Sequence, residues 1–442
     1  MASARHAAQT NRTMLERLAD ARTRTDALFR AVKTGHLYAR PIPERHRIVF
    51  YIGHLEAFDW NLLRETIGNP ASKNTTFDQL FAFGIDPVGG GLPTDQPEDW
   101  PALEVVRNYN AAVRETLDAW LAERANETDG AGSLRQRLNV AIEHRLMHEE
   151  TLCYMLHQLP IEKKIRQPQE SESIGAPHYE PRMIEIPAGS AKLGLERGPN
   201  ESFGWDNEFE AHEVAVPAFS IDRCMVTNGE YLKFLDAGGY DNRSLWSEQA
   251  WDWKNRAGIR HPVFWKRSGE GWLWRGMFGE LPLPHSWPVY VSHAEAEAYA
   301  RWAGKALPSE AQWHRAAYGS PEENDRLFPW GSEAPSARRG NFDFARWDPV
   351  GVDAYADSDS GYGALGMLGN GWEWTSTVFG PFPGFQRFPF YPGYSANFFD
   401  GRHFVMKGGS TRTAAVMLRR SFRNWFQSHY QYVYAGFRCV SV

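Results

Sequence analysis

Three histidines have the residue type and spacing of a metal site. His144 and His148 stand four residues apart, and His54 lies far upstream. On a helix, residues four apart project from one face, so both imidazoles can reach a single ion. A third imidazole would complete a three-histidine cap, which leaves the other positions of a metal open for substrate and O2. The same spacing also fits two structural histidines on a helix.

Two neighbouring carboxylates, Glu149 and Glu150, offer a different donor set. Either one could complete a site of two histidines and one carboxylate. On an ideal helix, however, neither shares the face of His144 and His148. Solvated surface charge is therefore the interpretation that we favour for both.

The elements that must position these histidines are predicted to be helices. Apolar residues recur with helical period across the first 160 residues, which predicts four helices. They span roughly residues 12–33, 44–67, 101–124 and 132–158. The Gly- and Pro-rich run 86–93 separates the second from the third, which indicates an antiparallel four-helix bundle with one long crossover. Bundles build metal sites from facing helices, and His54 lies on the second predicted helix and His144 and His148 on the fourth.

The second part of the chain has a different sequence pattern, without the long helical period of the first. Residues 161–182 are charged and lack an apolar period, as expected of a linker between a domain at 1–160 and a domain at 183–442. Short strands are predicted within 183–189, 404–410 and 435–440. Helices are predicted from an N-cap at Ser292 to Trp302, and across 309–318. A length of 442 residues agrees with two domains.

Composition excludes several classes of protein. A hydrophobic content of 42% and a formal charge of -6 predict a soluble chain that does not bind nucleic acid. The cysteines Cys153, Cys224 and Cys439 are odd in number and widely spaced, which favours a reducing compartment. No signal peptide or membrane-length apolar run is present in this sequence. We therefore expect a cytoplasmic protein without a membrane partner, as a monomer or weak homo-oligomer.

Several dispersed motifs mark the second half of the chain. They are residues 186–189 (Ile-Pro-Ala-Gly), 299–305 (Tyr-Ala-Arg-Trp-Ala-Gly-Lys), 307–313 (Leu-Pro-Ser-Glu-Ala-Gln-Trp), 369–375 (Gly-Asn-Gly-Trp-Glu-Trp-Thr), 408–410 (Gly-Gly-Ser) and 436–438 (Gly-Phe-Arg). In this order they resemble the formylglycine-generating-enzyme (sulfatase-modifying factor) fold, a C-type-lectin-like α+β domain. The enzymes named for that fold carry two copper-binding cysteines, whose positions are Thr413 and Leu418 here. Copper(I) requires such soft ligands, so this chain lacks that chemistry.

The N-terminal bundle resembles the DinB family, whose members bind a divalent metal with three histidines placed like His54, His144 and His148. The fusion of the two domains in this order resembles the ergothioneine-biosynthesis sulfoxide synthases, including their selenoneine synthase branch. The resemblance implies an α+β multidomain fold and a nonheme iron(II) enzyme. It also implies the substrates: hercynine, O2 and a chalcogen donor, with sulfur or selenium joined to imidazole C2 of hercynine.

The resemblance also assigns substrate contacts. Asn424 and Trp425 match the family segment that binds the betaine end of hercynine; an amide donor suits its carboxylate and an aromatic face its quaternary ammonium. The alternative is a structural turn with Trp425 in the core. Met147 and Phe426 stand where the γ-glutamylcysteine branch has a glutamine and an aspartate. Their apolar character favours free cysteine or a selenosugar as the donor.

Two further sets of residues are candidates. Oxygen chemistry requires a proton or hydrogen-atom donor, and the tyrosines Tyr391 and Tyr394 are predicted to serve, unless their loop only packs. The arginines Arg419, Arg420 and Arg423 could pair with a substrate carboxylate or remain solvated.

Two other functions remain open from the sequence. A DinB-type thiol transferase would use a zinc-like metal to activate a thiol and would need no O2. A lectin-like binding module would use the histidines structurally. The iron enzyme is the function that we favour, with its metal in the bundle and its substrate pocket walled by the aromatic C-terminal domain.

Overall fold

The computed structural model describes residues 13–82, 92–124, 133–166, 180–198, 203–269, 271–322 and 325–441. The chain divides into two compact units, Ala7–Pro168 and Gln169–Val442. The first is helical and the second mixes short strands with helices, which confirms the predicted α+β multidomain class. The domain limits at 160 and 183 stay a prediction. In the described parts of the chain, no helix is both long enough and apolar enough to cross a bilayer.

The N-terminal unit is built from helices. They are α1 (Met14–Arg30), α2 (Ile48–Leu63), α3 (Thr75–Leu80), α4 (Leu103–Glu123) and α5 (Ser133–His157). The four long helices confirm the predicted bundle, whereas the short α3 was not predicted. Helix α1 packs on α5, and α2 packs on both α4 and α5. Local signals explain two of the starts, because Thr13 and Asn74 each accept a backbone N–H at a helix N-terminus.

Helix α2 occupies the centre of this unit. Nearly all of its residues are buried, on every face of the helix. Helix α4 instead buries a single stripe that includes Val106, Val113 and Leu117, as expected of a helix with one side in water. Polar groups in the middle of α2 are therefore removed from solvent, and His54 is one of them.

The residues that directly follow α5 pair with the end of α1. Residues Ile161–Lys163 form a short 3-10 helix, and the N–H of Ile165 donates to the Ala31 carbonyl oxygen at 2.7 Å. Lys164 is buried. The first residues of the predicted linker therefore belong to the bundle, because their backbone pairs with the end of α1. Residues 167–179, and most of the glycine-rich run 86–93, lie outside the described residues.

The C-terminal unit contains small sheets. Their strands are β1 (Met183–Ile186), β2 (Gly189–Leu193), β3 (His212–Val216), β4 (Phe219–Asp222), β5 (Trp265–Ser268), β6 (Gly271–Arg275), β7 (Glu280–Pro282), β8 (Gly371–Val378), β9 (His403–Gly409), β10 (Asn424–Gln427), β11 (Ala435–Gly436) and β12 (Val440–Ser441). The strand orders are β1-β4-β12, β10-β9-β8-β11, β2-β3 and β5-β6-β7. Strand β11 runs parallel to β8, and the other named pairs are antiparallel.

Helices of the C-terminal unit include two that the sequence patterns did not predict. They are α6 (Asn228–Asp236), α7 (Glu248–Arg256), α8 (His293–Trp302) and α9 (Glu310–Tyr318). The N-cap at Ser292 is confirmed, with a capping box to Glu295. The missed helices α6 and α7 begin at the N-caps Thr227 and Ser247, so the same signal was present in both places.

A buried ion pair connects several elements at the centre of this unit. The guanidinium of Arg438 donates to both carboxylate oxygens of Glu373, at 2.6 and 2.7 Å. The indole of Trp313 donates to the same carboxylate at 2.9 Å. All three side chains are buried, so α9, β8 and the C-terminal segment share one interior charge pair.

Candidate functional site

The three histidines predicted from the sequence lie together inside the bundle. His54 comes from α2, and His144 and His148 come from α5. Each offers one ring nitrogen, and these atoms all lie within 4.8 Å of one another. The Nε2 atoms of His144 and His148 are 3.1 Å apart. Two helices thus bring three nitrogen donors to one point, and the group could hold a metal ion.

Neighbouring groups set the orientation of the rings. The Nδ1 of His54 lies 2.7 Å from the carbonyl oxygen of Phe81. A carbonyl can only accept, so Nδ1 carries the proton and Nε2 keeps its lone pair. That Nε2 atom is buried and has no hydrogen-bond partner among the described residues. Phe58 stacks on His144 with ring centroids 3.4 Å apart. A hydrogen bond from the other ring nitrogen to a carbonyl, like that of His54 to Phe81, is the usual support of a metal-binding histidine.

Burial keeps the three imidazoles neutral. Removal from water lowers the pKa of His54 to about 4, against a weaker opposing effect of the Phe81 carbonyl. Burial likewise holds the pKa of His144 and His148 well below the usual range, and the other histidines of the cluster add to this. A neutral imidazole presents the lone pair that a metal requires. The donor set of three nitrogens fits a divalent transition metal.

The prediction for Glu149 and Glu150 was wrong in one respect. Both side chains are buried rather than solvated, because α5 is covered on nearly every side. Among the described residues, the clustered group of metal donors consists of the three histidines alone. Met147, which lies between His144 and His148 on α5, is half-buried.

The predicted betaine contacts lie on the edge strand β10 of the C-terminal unit. Trp425 is half-buried and stacks face to face on Phe379, with centroids 4.2 Å apart. Asn424 Oδ1 accepts the backbone N–H of Trp425 at 2.9 Å, and Phe426 stacks on Tyr430 at 4.9 Å. The exposure of Trp425 is intermediate, so it does not belong to the fully buried core.

The two candidate tyrosines belong to the same region of this unit. The ring of Tyr394 lies 5.4 Å from that of Trp425, edge to face. It also stacks on buried Trp205 at 3.9 Å. Burial raises the pKa of Tyr391 to about 12, and the nearby carboxylate of Asp206 adds to this. The phenol of Tyr391 is therefore protonated at neutral pH, as a proton donor must be.

The candidate arginines already have partners. Arg423 is buried and donates to both carboxylate oxygens of Glu310, at 2.9 and 3.1 Å. Arg420 pairs with Asp325, and the Nε of Arg419 donates to Glu208 at 2.8 Å. Glu310 balances the charge of Arg423, and Asp325 that of Arg420. A contact of either arginine with a substrate carboxylate stays a prediction.

Thr413 and Leu418, which stand where formylglycine-generating enzymes carry copper-binding cysteines, both lie close to Gly409. A side-chain carbon added at Gly409 would meet Leu418 at 2.6 Å and Thr413 at 3.4 Å. The Thr413 hydroxyl accepts the N–H of Ser410 at 2.8 Å. Neither residue can supply the thiolate that copper(I) requires.

The sequence patterns missed the residues that support the histidines. Phe81, whose carbonyl orients His54, has no motif, and Phe58 follows His54 by four residues, which places it on the same face of α2. Arg145, which immediately follows His144, is fully buried. Its place directly after His144 in the sequence was the available signal for it.

Comparison with known proteins finds relatives for both units. Residues 170–442, more than half of the chain, match the sulfatase-modifying factor enzyme 1-like domain, and residues 17–152 match the DinB superfamily. The chain is 34% identical over 445 residues to the hercynine oxygenase of Mycolicibacterium smegmatis, which covers 96% of this chain and 98% of that protein. This chain belongs to the ergothioneine sulfoxide synthase family.

Two other relatives match part of their own length. The hercynine oxygenase of Mycobacterium tuberculosis is 42% identical over 249 residues, which is 56% of this chain and 57% of that protein. Ergothioneine biosynthesis protein 1 of Neurospora crassa is 28% identical over 91% of this chain, and the chain spans 55% of that protein. Family membership therefore rests on the full-length likeness together with the two domain matches.

Proposed function

We propose that this chain is a nonheme iron(II), O2-dependent synthase that forms a carbon–sulfur or carbon–selenium bond at imidazole C2 of hercynine. The reaction would belong to ergothioneine or selenoneine biosynthesis. The observation that carries the proposal is the buried cluster of His54, His144 and His148. Its support is the full-length likeness to a hercynine oxygenase.

The proposed reaction balances for a thiol donor. Hercynine loses the C2 hydrogen, the thiol loses its proton, and a carbon–sulfur bond forms. The sulfur is also oxidised to a sulfoxide. One O2 accepts the four electrons, so that one oxygen atom enters the sulfoxide and the other leaves as water.

Different residues of the chain would have different roles in this reaction. The three neutral imidazoles hold the ion without cancelling its charge, which favours an anionic donor beside it. Iron(II) bound there would supply the activation of O2 and a template for the two substrates. Asn424 would donate to the betaine carboxylate, and the ring of Trp425 would face the trimethylammonium group. Tyr391 or Tyr394 would donate a proton or hydrogen atom from its phenol.

The choice of donor rests on two apolar residues. A γ-glutamyl group brings a carboxylate and an ammonium that need polar partners when they leave water. Met147 and Phe426 cannot supply such partners. Free cysteine or a selenosugar is therefore the proposed donor, and γ-glutamylcysteine is disfavoured.

The test begins with the full chain loaded with iron(II) under nitrogen. Hercynine is then offered with cysteine, γ-glutamylcysteine or a selenosugar in separate reactions, and air is admitted. The expected result is O2 consumption that depends on both iron and hercynine. Product mass identifies the donor, and with 18O2 a sulfoxide product gains one heavy oxygen.

A matched pair of variants links the activity to the cluster. His148→Ala should abolish metal binding and turnover, whereas His157→Ala, which removes another buried histidine of α5, should retain both. Turnover under nitrogen with zinc would instead support a DinB-type thiol transferase. Unchanged metal content in His144→Ala would show that the histidines are structural and would refute the enzyme proposal.

A further inference from the structure

A buried arginine joins the two helices that carry the histidines. Arg145, on α5, donates from Nε to Asp59 Oδ2 at 2.8 Å and from Nη2 to Glu56 Oε2 at 2.6 Å. Its Nη2 also donates to the backbone carbonyl of Leu55 at 2.9 Å. Arg145, Glu56 and Asp59 are all at most 1% exposed. The contact is therefore a dry, charge-assisted bridge from α5 to α2.

The position of this bridge in the sequence ties it to the cluster. Its acceptors follow His54 by one, two and five residues on α2, and Arg145 follows His144 by one residue on α5. A guanidinium presents its donors in a rigid plane. A slip of one residue would move α5 by about 1.5 Å and rotate it by roughly 100° relative to these acceptors. The three bonds therefore fit one register of the two helices.

One of these acceptors, Glu56, also takes part in a second ion pair. Arg114, on α4, donates to Glu56 Oε1 at 2.6 Å and to Asp26 of α1 at 2.7 Å. Buried ion pairs contribute little net stability compared with apolar packing, and their best-attested role is to specify a register. A network of this kind beside a ligand is therefore better explained by geometry than by stability.

We propose that Arg145 is a positioning residue of the metal site, which holds α2 and α5 in the register at which His54 meets His144 and His148. The proposal rests on the proposed function in one respect, namely that the three histidines bind a divalent metal. Arg145 itself touches no ion, and all three ligands remain when it is replaced. Loss of such a supporting contact lowers metal affinity by about 10–100-fold.

Cobalt(II) is the probe for the test, because its visible absorption reports both occupancy and ligand geometry. The full chain is compared with Arg145→Met, Arg145→Lys and the control Arg114→Met. Far-UV circular dichroism and thermal unfolding of the metal-free proteins report folding separately. We expect Arg145→Met to bind cobalt(II) about 10–100-fold more weakly, with an altered spectrum. Arg145→Lys should recover part of the affinity, because its ammonium can reach a carboxylate but lacks the planar fork.

The control separates geometry from stability. Arg114→Met breaks the contacts of α4 with Glu56 and Asp26 but leaves the bridge from α5 to α2 intact. It should unfold at a lower temperature and still bind cobalt(II) with the affinity and spectrum of the unaltered chain. Equal losses of affinity in Arg145→Lys and Arg114→Met would overturn the proposal, since affinity would then follow stability.

Two further outcomes are distinguishable. If Arg145→Met is folded and binds cobalt(II) as the unaltered chain does, Arg145 is not a positioning residue, although the proposed function survives. If the unaltered chain binds neither cobalt(II) nor iron(II), the proposed function itself fails. Should Arg145→Met not fold, the comparison of Arg145→Lys with Arg114→Met decides the question alone.

Discussion

Gly53→Ala should impair the proposed metal site although it replaces glycine by the best helix former. Gly53 immediately precedes His54 on α2. A side-chain carbon built there would lie 2.6 Å from three ring atoms of Phe81. The backbone carbonyl of Phe81 is the group that orients His54. A single methyl group at Gly53 therefore presses on Phe81, whose carbonyl contacts His54.

The size of the effect follows from two opposing contributions. Alanine in place of glycine stabilises a helix interior by about 1 kcal/mol. Overpacking of a filled core costs about 1–3 kcal/mol. The Phe81 ring is fully buried and bordered by four aromatic rings, with centroids 5.5 to 6.4 Å away. These rings are Phe50, Phe77, Trp100 and Tyr109. We expect a net loss of about 1 kcal/mol in the free energy of unfolding.

Metal affinity should fall as well. A displaced Phe81 carries its carbonyl oxygen away from Nδ1 of His54, so the imidazole loses its fixed orientation. The weakening expected is about tenfold, the lower end for lost supporting contacts. Urea unfolding of the metal-free chain measures the first effect, and iron(II) titration without O2 measures the second.

A rescue and a control make the reasoning refutable. The double variant Gly53→Ala/Phe81→Leu should recover part of the affinity, because the smaller side chain leaves room for the methyl group. Gly35→Ala is the control, since an added carbon there meets nothing within 4 Å. If Gly53→Ala proves more stable than the unaltered chain and binds iron(II) equally well, the Phe81 contact does not constrain His54.

Three further predictions concern the C-terminal unit. Burial lowers the pKa of Lys407 to about 8, against about 10.4 in the unfolded chain. Between these two pH values the unfolded chain keeps a proton that the folded chain has lost. The free energy of unfolding should therefore rise with pH by up to about 3 kcal/mol. Lys407→Met should remove this rise in urea unfolding at pH 7.5 to 10, and an unchanged slope would contradict the assignment. Glu373→Gln leaves the buried charge of Arg438 unbalanced and should cost about 3–5 kcal/mol, visible as a lower unfolding temperature; an unchanged temperature would show that the pair is not needed. Under the proposed function, Trp425→Ala should weaken hercynine binding about 5–30-fold, as expected for a loss of about 1–2 kcal/mol of cation–π attraction. Calorimetry measures this affinity, and equal binding would exclude the indole from the betaine contact.

The sequence predicted those features that depend on local spacing. The four long helices follow from a 3.6-residue period, and the facing of His144 and His148 follows from their separation by four residues. His54 was different. It lies 90 residues before His144, so no local spacing joins it to the pair. Its residue type and its place on a facing predicted helix suggested it, the resemblance to a family supported it, and the structure then brought the three rings together.

What could not be predicted depends on how completely each helix is covered. The ideal-helix rule correctly placed Glu149 and Glu150 on a different face of α5 from His144 and His148. It cannot show that other elements bury the face of the two glutamates as well. The same limit applies to Arg423, since no local pattern shows that Glu310, which lies 113 residues away, neutralises it. The carbonyl of Phe81 carries no sequence signal, because every residue offers the same backbone group.

The central position of α2 gives the strongest physical reason to regard the cluster as a binding site. A polar group on a fully buried helix must find a partner, or it costs the free energy of its lost hydration. Glu56 and Asp59 find Arg145, and Nδ1 of His54 finds the Phe81 carbonyl. The Nε2 atom of His54 has no such partner among the described residues, and each of the three neutral imidazoles offers one nitrogen within 4.8 Å of the others. A divalent cation could accept a lone pair from all three at once.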